Sequence, residues 1–112
     1  MGAQHVQTGN HIDYTPAADL VLGEVIVQGE LVGIAPYAVG AGQPGSLAVT
    51  GVFDLDKASG VGTAIPAGSK VYWDAAQKQA VSSDGGGANK YVGKSIHDAA
   101  DTASAVRVRL SQ

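Results

Sequence analysis

Residues Pro66–Ser82 read PAGSKVYWDAAQKQAVS and hold the only tryptophan of the chain. Pro66 and Gly68 punctuate the start. Val71 and Trp73 then fall on one face of an extended segment, with Lys70, Tyr72 and Asp74 on the other, which is the period-two alternation of a half-buried strand. Ala75–Lys78 supplies a short turn of small and polar residues. In the return run Gln79 and Val81 share one face, and Ala80 and Ser82 the opposite one. The stretch predicts a β-hairpin whose Val71–Trp73 face anchors a core. Because large side chains are few, Trp73 is expected to be scaffold rather than a stacking platform. Lys70 and Tyr72 face outward as candidates for contact with a protein partner.

The same periodicity extends in both directions from the hairpin. Upstream, Leu47–Leu55 alternates with Leu47, Val49, Gly51, Phe53 and Leu55 on one face and predicts one long strand. Asp56–Thr63 is expected to be a loop or a single turn. Leu20–Val27 is β-branched, with Gly23 and Glu24 as a bulge or turn. Gln28, Gly29 and Glu30 make a tight turn into Leu31–Val39, so two antiparallel neighbours are expected there. Gln4–Tyr14 alternates weakly and is broken by Gly9 and Asn10, which suggests a short extended arm, over residues 1–15, or a first hairpin. Downstream, the three glycines Gly85–Gly87 predict a loose loop over Ser83–Lys90. Tyr91–His97 reads as another strand. Ala105–Leu110 closes the chain with Val106, Val108 and Leu110 inward and Arg107 and Arg109 outward. Short strands separated by Gly and Pro, with no sustained helical period, predict an all-β fold: one small β-sandwich or β-barrel of antiparallel strands over residues 1–112.

Composition bounds the function. Of 112 residues 45% are hydrophobic, but most of these are Ala and Val, against one Trp, one Phe, one Met and four Tyr. With sixteen glycines as well, the backbone entropy lost on folding is high and the large apolar groups that offset it are scarce. Part of the stability is therefore expected from neighbours in a homo-oligomer or on a larger surface. A net charge of −3, with seven Lys and Arg scattered from Lys57 to Arg109 and forming no run, gives no field for a phosphate backbone and argues against nucleic acid as a partner. The chain contains no cysteine, which excludes disulfides and thiolate chemistry. No apolar run approaches the roughly twenty residues a membrane span needs, and the start lacks the pattern of a signal peptide. The expectation is a soluble chain made in the cytoplasm, with no membrane partner.

Motifs for catalysis fail on context. Gly40, Gly42 and Gly45 match G-x-G-x-x-G, yet the residues that follow are β-patterned, not helical, and Pro44 removes one of the amides a pyrophosphate would need. Ser46 and Leu47 stand where a phosphate-binding P-loop requires Lys and Ser or Thr. His5, His11 and Asp13, or His97 with Asp98 and Asp101, offer too few ligands to close a metal site. Asp54 and Asp56 resemble a carboxylate pair but are expected at a solvated strand end. No serine lies in a nucleophile elbow. No enzyme activity, cofactor, metal or small-molecule substrate is expected.

The ordered set HIDYT (His11–Thr15), VIVQGELVGIA (Val25–Ala35), SLAVTGVFDLDKASG (Ser46–Gly60), AGSKVYWD (Ala67–Asp74), YVGKSIHDA (Tyr91–Ala99) and VRVRL (Val106–Leu110) resembles the capsid cement or decoration proteins of tailed phages almost end to end. Some members of that family carry a recombinase label, which the missing P-loop lysine contradicts here. The resemblance implies a β-rich structural protein on the outer capsid surface of the virion. It would bind the phage major capsid protein as a dimer or trimer and stabilise the head. The alternative is a virion-displayed β module that recognises a host-surface glycan or protein through Tyr72, Tyr91 and the Gly85–Gly87 loop. The contact candidates are His5, Tyr14, Tyr37, Lys70, Tyr72 and Gly86.

Overall fold

A computed structural model of the chain describes residues 2–3 and 9–111. The fold is all-β, as the strand pattern predicts. The described residues form β1 (His11–Tyr14), β2 (Val25–Gln28), β3 (Leu31–Ile34), β4 (Gly45–Ala48), β5 (Gly51–Asp56), β6 (Lys70–Asp74), β7 (Gln79–Val81), β8 (Lys90–Ser95) and β9 (Ala105–Leu110). They build two antiparallel sheets, a smaller one of order β1-β4-β3-β2 and a larger one of order β5-β9-β8-β6-β7.

The larger sheet is organised around the hairpin. Val71 and Trp73 of β6 are buried, Ala80 of β7 sits opposite Trp73, and Val106, Val108 and Leu110 of β9 complete the same inner face. Its edge strands approach each other: Lys57, just after β5, forms a parallel bridge with Ala80, and the Ala58 amide donates to the Ala80 carbonyl at 3.3 Å. The sheet is therefore curled towards a barrel. Val25, Val27, Val32 and Ile34 of the smaller sheet pack against it and join its core, which gives the sandwich. Ser95 pins the start of the hairpin, accepting from the Gly68 amide at 2.8 Å and donating its hydroxyl to the Pro66 carbonyl at 2.6 Å.

The opposite face of the smaller sheet carries a second apolar cluster of Leu20, Ala35, Val39 and Leu47, flanked by Ile12, Tyr14 and Ile26. Leu20 and Val39 bridge each other, and the Gly40–Ser46 segment is tied down by Asp19, whose carboxylate accepts from the Ala41 amide at 2.8 Å.

Three expectations need correction. Leu47–Leu55 is not one strand: the chain leaves the smaller sheet after Ala48 and enters the larger one at Gly51, whose φ of 117° breaks the extended run at a value side-chain-bearing residues rarely adopt. Leu31–Val39 ends as a strand at Ile34, and Val39 keeps only the isolated bridge to Leu20. The loose loop at Ser83–Lys90 is instead a 3-10 turn over Gly85–Gly87. Asp84 caps it: its carboxylate accepts from the Gly86 amide at 3.2 Å, and its carbonyl accepts from the Asn89 amide at 3.0 Å. The glycines take φ of 58°, 74° and 101°, so their freedom is used to close the turn. Of the expected arm, residues 11–14 form β1 and pair with β4, while residues 4–8 lie outside the described residues.

Candidate protein-contact face

The outer face of the larger sheet gathers residues that are distant in sequence. Strand alternation sends Val71, Val106, Val108 and Leu110 inward and leaves Lys70, Tyr72, Arg107 and Arg109 outward. Register then sets the neighbours. Lys70 pairs with Lys94, Lys94 with Arg109, and Arg109 with Val52, so one straight row across four strands reads Lys70, Lys94, Arg109, Val52. The three cations are exposed and Val52 retains 52% of its surface.

A β-bulge puts an aromatic pair beside this row. Val71 pairs with Gly93 but Tyr72 pairs with Tyr91, leaving Val92 as the extra residue on β8. Two consecutive residues thereby serve the inner side: Val92 is fully buried in the core, and Gly93 is buried against β9. Tyr91 emerges on the outer face. Its ring meets that of Tyr72 edge to face, with centroids 5.9 Å apart, and Val81 lies opposite Tyr72 on the other side. Gly93 allows the bulge, because a Cβ there would run into the Arg109 carbonyl.

Electrostatics differ sharply between adjacent rows. Arg107 pairs with Asp54 across β9 and β5, Nε to Oδ1 at 2.9 Å and Nη2 to Oδ2 at 3.2 Å. The hydrogen bond from Arg107, supported by the charges of Arg107 and His97 and opposed by partial desolvation, lowers the Asp54 carboxyl from its ordinary value. Elsewhere Lys90 pairs with Glu30 at 3.0 Å, and the buried Lys57 donates to the Ala58 carbonyl at 2.7 Å, the Thr63 hydroxyl at 3.3 Å and the Ala103 carbonyl at 3.4 Å. Lys70, Lys94 and Arg109 have no ion pair among the described residues.

Of the contact candidates, the structure brings only Lys70 and Tyr72 together. Tyr14 is half-buried against the second apolar cluster, Tyr37 is exposed with its hydroxyl 3.3 Å from that of Ser46, and Gly86 lies in the capped turn. His5 lies outside the described residues. Lys94, Arg109 and Val52 were not singled out as contact residues from sequence, since only register places them beside the hairpin; Tyr91, named there only for the alternative binding module, stands beside Tyr72. Two glycines of the G-x-G-x-x-G match have structural reasons: a Cβ on Gly45 would meet the Val39 side chain at 2.7 Å, and Gly42 takes a φ of 75°. Among the described residues no group of three or more His, Asp or Glu is placed to hold a metal ion, and no helix is long and apolar enough to cross a membrane.

The family model for phage cement proteins matches residues 6–110. The chain belongs to the phage cement protein family. Comparison with curated proteins and with solved structures finds no match. Membership gives the protein a structural role at the phage capsid and a place in the virion, and the outer face of the larger sheet is a candidate surface for a protein partner there. Tyr and Arg are enriched in such interfaces.

Proposed function

We infer that this cement protein binds the outer surface of the assembled phage head, bridges major capsid subunits and reinforces the lattice without catalysis, acting as a homodimer or homotrimer. The observation that carries the reading is the family match over residues 6–110. The physical chemistry agrees with it. Among the described residues the core is built mainly from Val, Leu, Ile and Ala, with Trp73 as its one buried aromatic and Phe53 packed against it, and a partner that binds only the folded state adds stability by mass action. Repeated copies on a lattice also let modest individual contacts share one load. Mixing the purified protein with undecorated heads and co-sedimenting them tests the reading. Saturable occupancy together with a higher temperature of head rupture is expected, and no occupancy at any concentration would refute it.

A further inference from the structure

We propose that the row Lys70–Lys94–Arg109 docks this protein onto a carboxylate-bearing surface of the assembled phage shell, with Val52 and the Tyr72–Tyr91 pair as its apolar flanks. The proposal rests on the cement reading above and adds the chemistry of the contact. Its first support is that the row is costly to the isolated chain. Like charges placed directly opposite on neighbouring strands destabilise a sheet, and here Lys94 faces a cation on each side. The adjacent row shows the ordinary solution, with Asp54 opposite Arg107. A chain of net charge −3 has acids to spare, yet many of them are committed elsewhere. Asp19, Asp74, Asp84, Asp98 and Asp101 each accept a backbone amide in a turn or loop.

The shape of the patch decides between kinds of anion. Neighbouring strands lie about 4.8 Å apart, so the cations spread over roughly 10 Å of a sheet surface and form no concave cradle for a single small anion. A nucleic acid would require a wider basic field, whereas this row is bordered by the neutralised Asp54–Arg107 pair and by apolar and aromatic groups. A protein surface with two or three carboxylates and an apolar neighbour is the complement.

The test compares wild type, Lys94→Glu and Lys70→Gln for binding to undecorated heads across a salt series, with thermal melts and light scattering on each free protein. Lys94→Glu sets a carboxylate between Lys70 and Arg109, so it should melt at or above the wild-type temperature while its affinity for heads falls about tenfold or more. Lys70→Gln should weaken binding in the same direction with less effect on the fold. Wild-type binding should fall steeply as salt screens exposed charge. If both variants fold and bind heads as the wild type does, the row is not the contact and this inference fails while the cement reading stands. If the wild type itself does not bind heads, the cement reading fails first. If Lys94→Glu instead loses self-association and keeps head binding, the row belongs to a second copy and the inference is overturned.

Discussion

Arg107 lays its guanidinium along the carboxylate of Asp54 on the adjacent strand, with contacts of 2.9 and 3.2 Å. The relationship fixes a pH dependence whose sign can be worked out. Asp54 is lowered from its ordinary value of 3.8, chiefly by the Arg107 hydrogen bond. A depressed pKa in the folded state means that folding favours the ionised form, so the contribution is complete above the unfolded-state value and is lost as pH falls through the lower folded-state value. Both side chains are about half exposed, so the effect is small. The melting temperature of Asp54→Asn should lie slightly below that of wild type at neutral pH, and the gap should close under strong acid. A gap that persists there would mean that the pair is not the source.

The two faces of β6 should give opposite phenotypes. Trp73 is 6% exposed within the main core, and truncation of such an aromatic removes its burial and leaves a cavity, so Trp73→Ala should cost about 3 to 5 kcal/mol in urea unfolding. Tyr72 is half-buried on the outer face and loses chiefly its edge-to-face contact with Tyr91. Tyr72→Ala should therefore cost about 1 kcal/mol of stability while weakening binding to undecorated heads. Reversed phenotypes would place β6 in the register one residue away.

How much of this was legible in the sequence depended on whether the information was local. The alternation of Val71 with Trp73, and of Val106 with Val108 and Leu110, is written within each strand, and their burial follows it. The sheet switch between Ala48 and Gly51 was not visible, because Leu47, Val49 and Phe53 keep one parity straight through it; only the φ of Gly51 marks the break. The candidate contact face was legible by halves. The outward direction of Lys70, Tyr72, Arg107 and Arg109 could be read, but the adjacency of Lys70, Lys94 and Arg109 could not. It depends on pairings between segments more than twenty residues apart in one case and fifteen in the other, and on a bulge at Val92 that reverses the parity of Tyr91.

That bulge makes Gly93 the most restricted glycine of the larger sheet. A Cβ there would press on the Arg109 carbonyl and on the Ser111 amide, backbone atoms of β9 and of the residue that follows it. Neither can swing aside as a side-chain tip would. Gly93→Ala should lose more than about 3 kcal/mol and shift the Tyr91 ring away from Tyr72. Urea unfolding measures the first effect, and the aromatic proton shifts of Tyr91 report the second. A variant of wild-type stability would mean that β8 and β9 are not in this close register.

Lys57 closes the seam of the curled sheet and gives the last test. It is 5% exposed and has no carboxylate partner among the described residues; its ammonium is held by the Ala58 and Ala103 carbonyls and the Thr63 hydroxyl. It thus ties the end of β5, the loop that follows and the segment before β9, beside its bridge to Ala80. Lys57→Ala strips these acceptors of their donor and leaves a void, and should cost about 2 to 4 kcal/mol. Lys57→Met fills the void without supplying the donor. If it recovers most of the stability, the methylene stem matters most; if it recovers little, the ammonium does. The three acceptors favour the second outcome, since part-buried carbonyls left without a donor cost free energy whatever fills the space beside them.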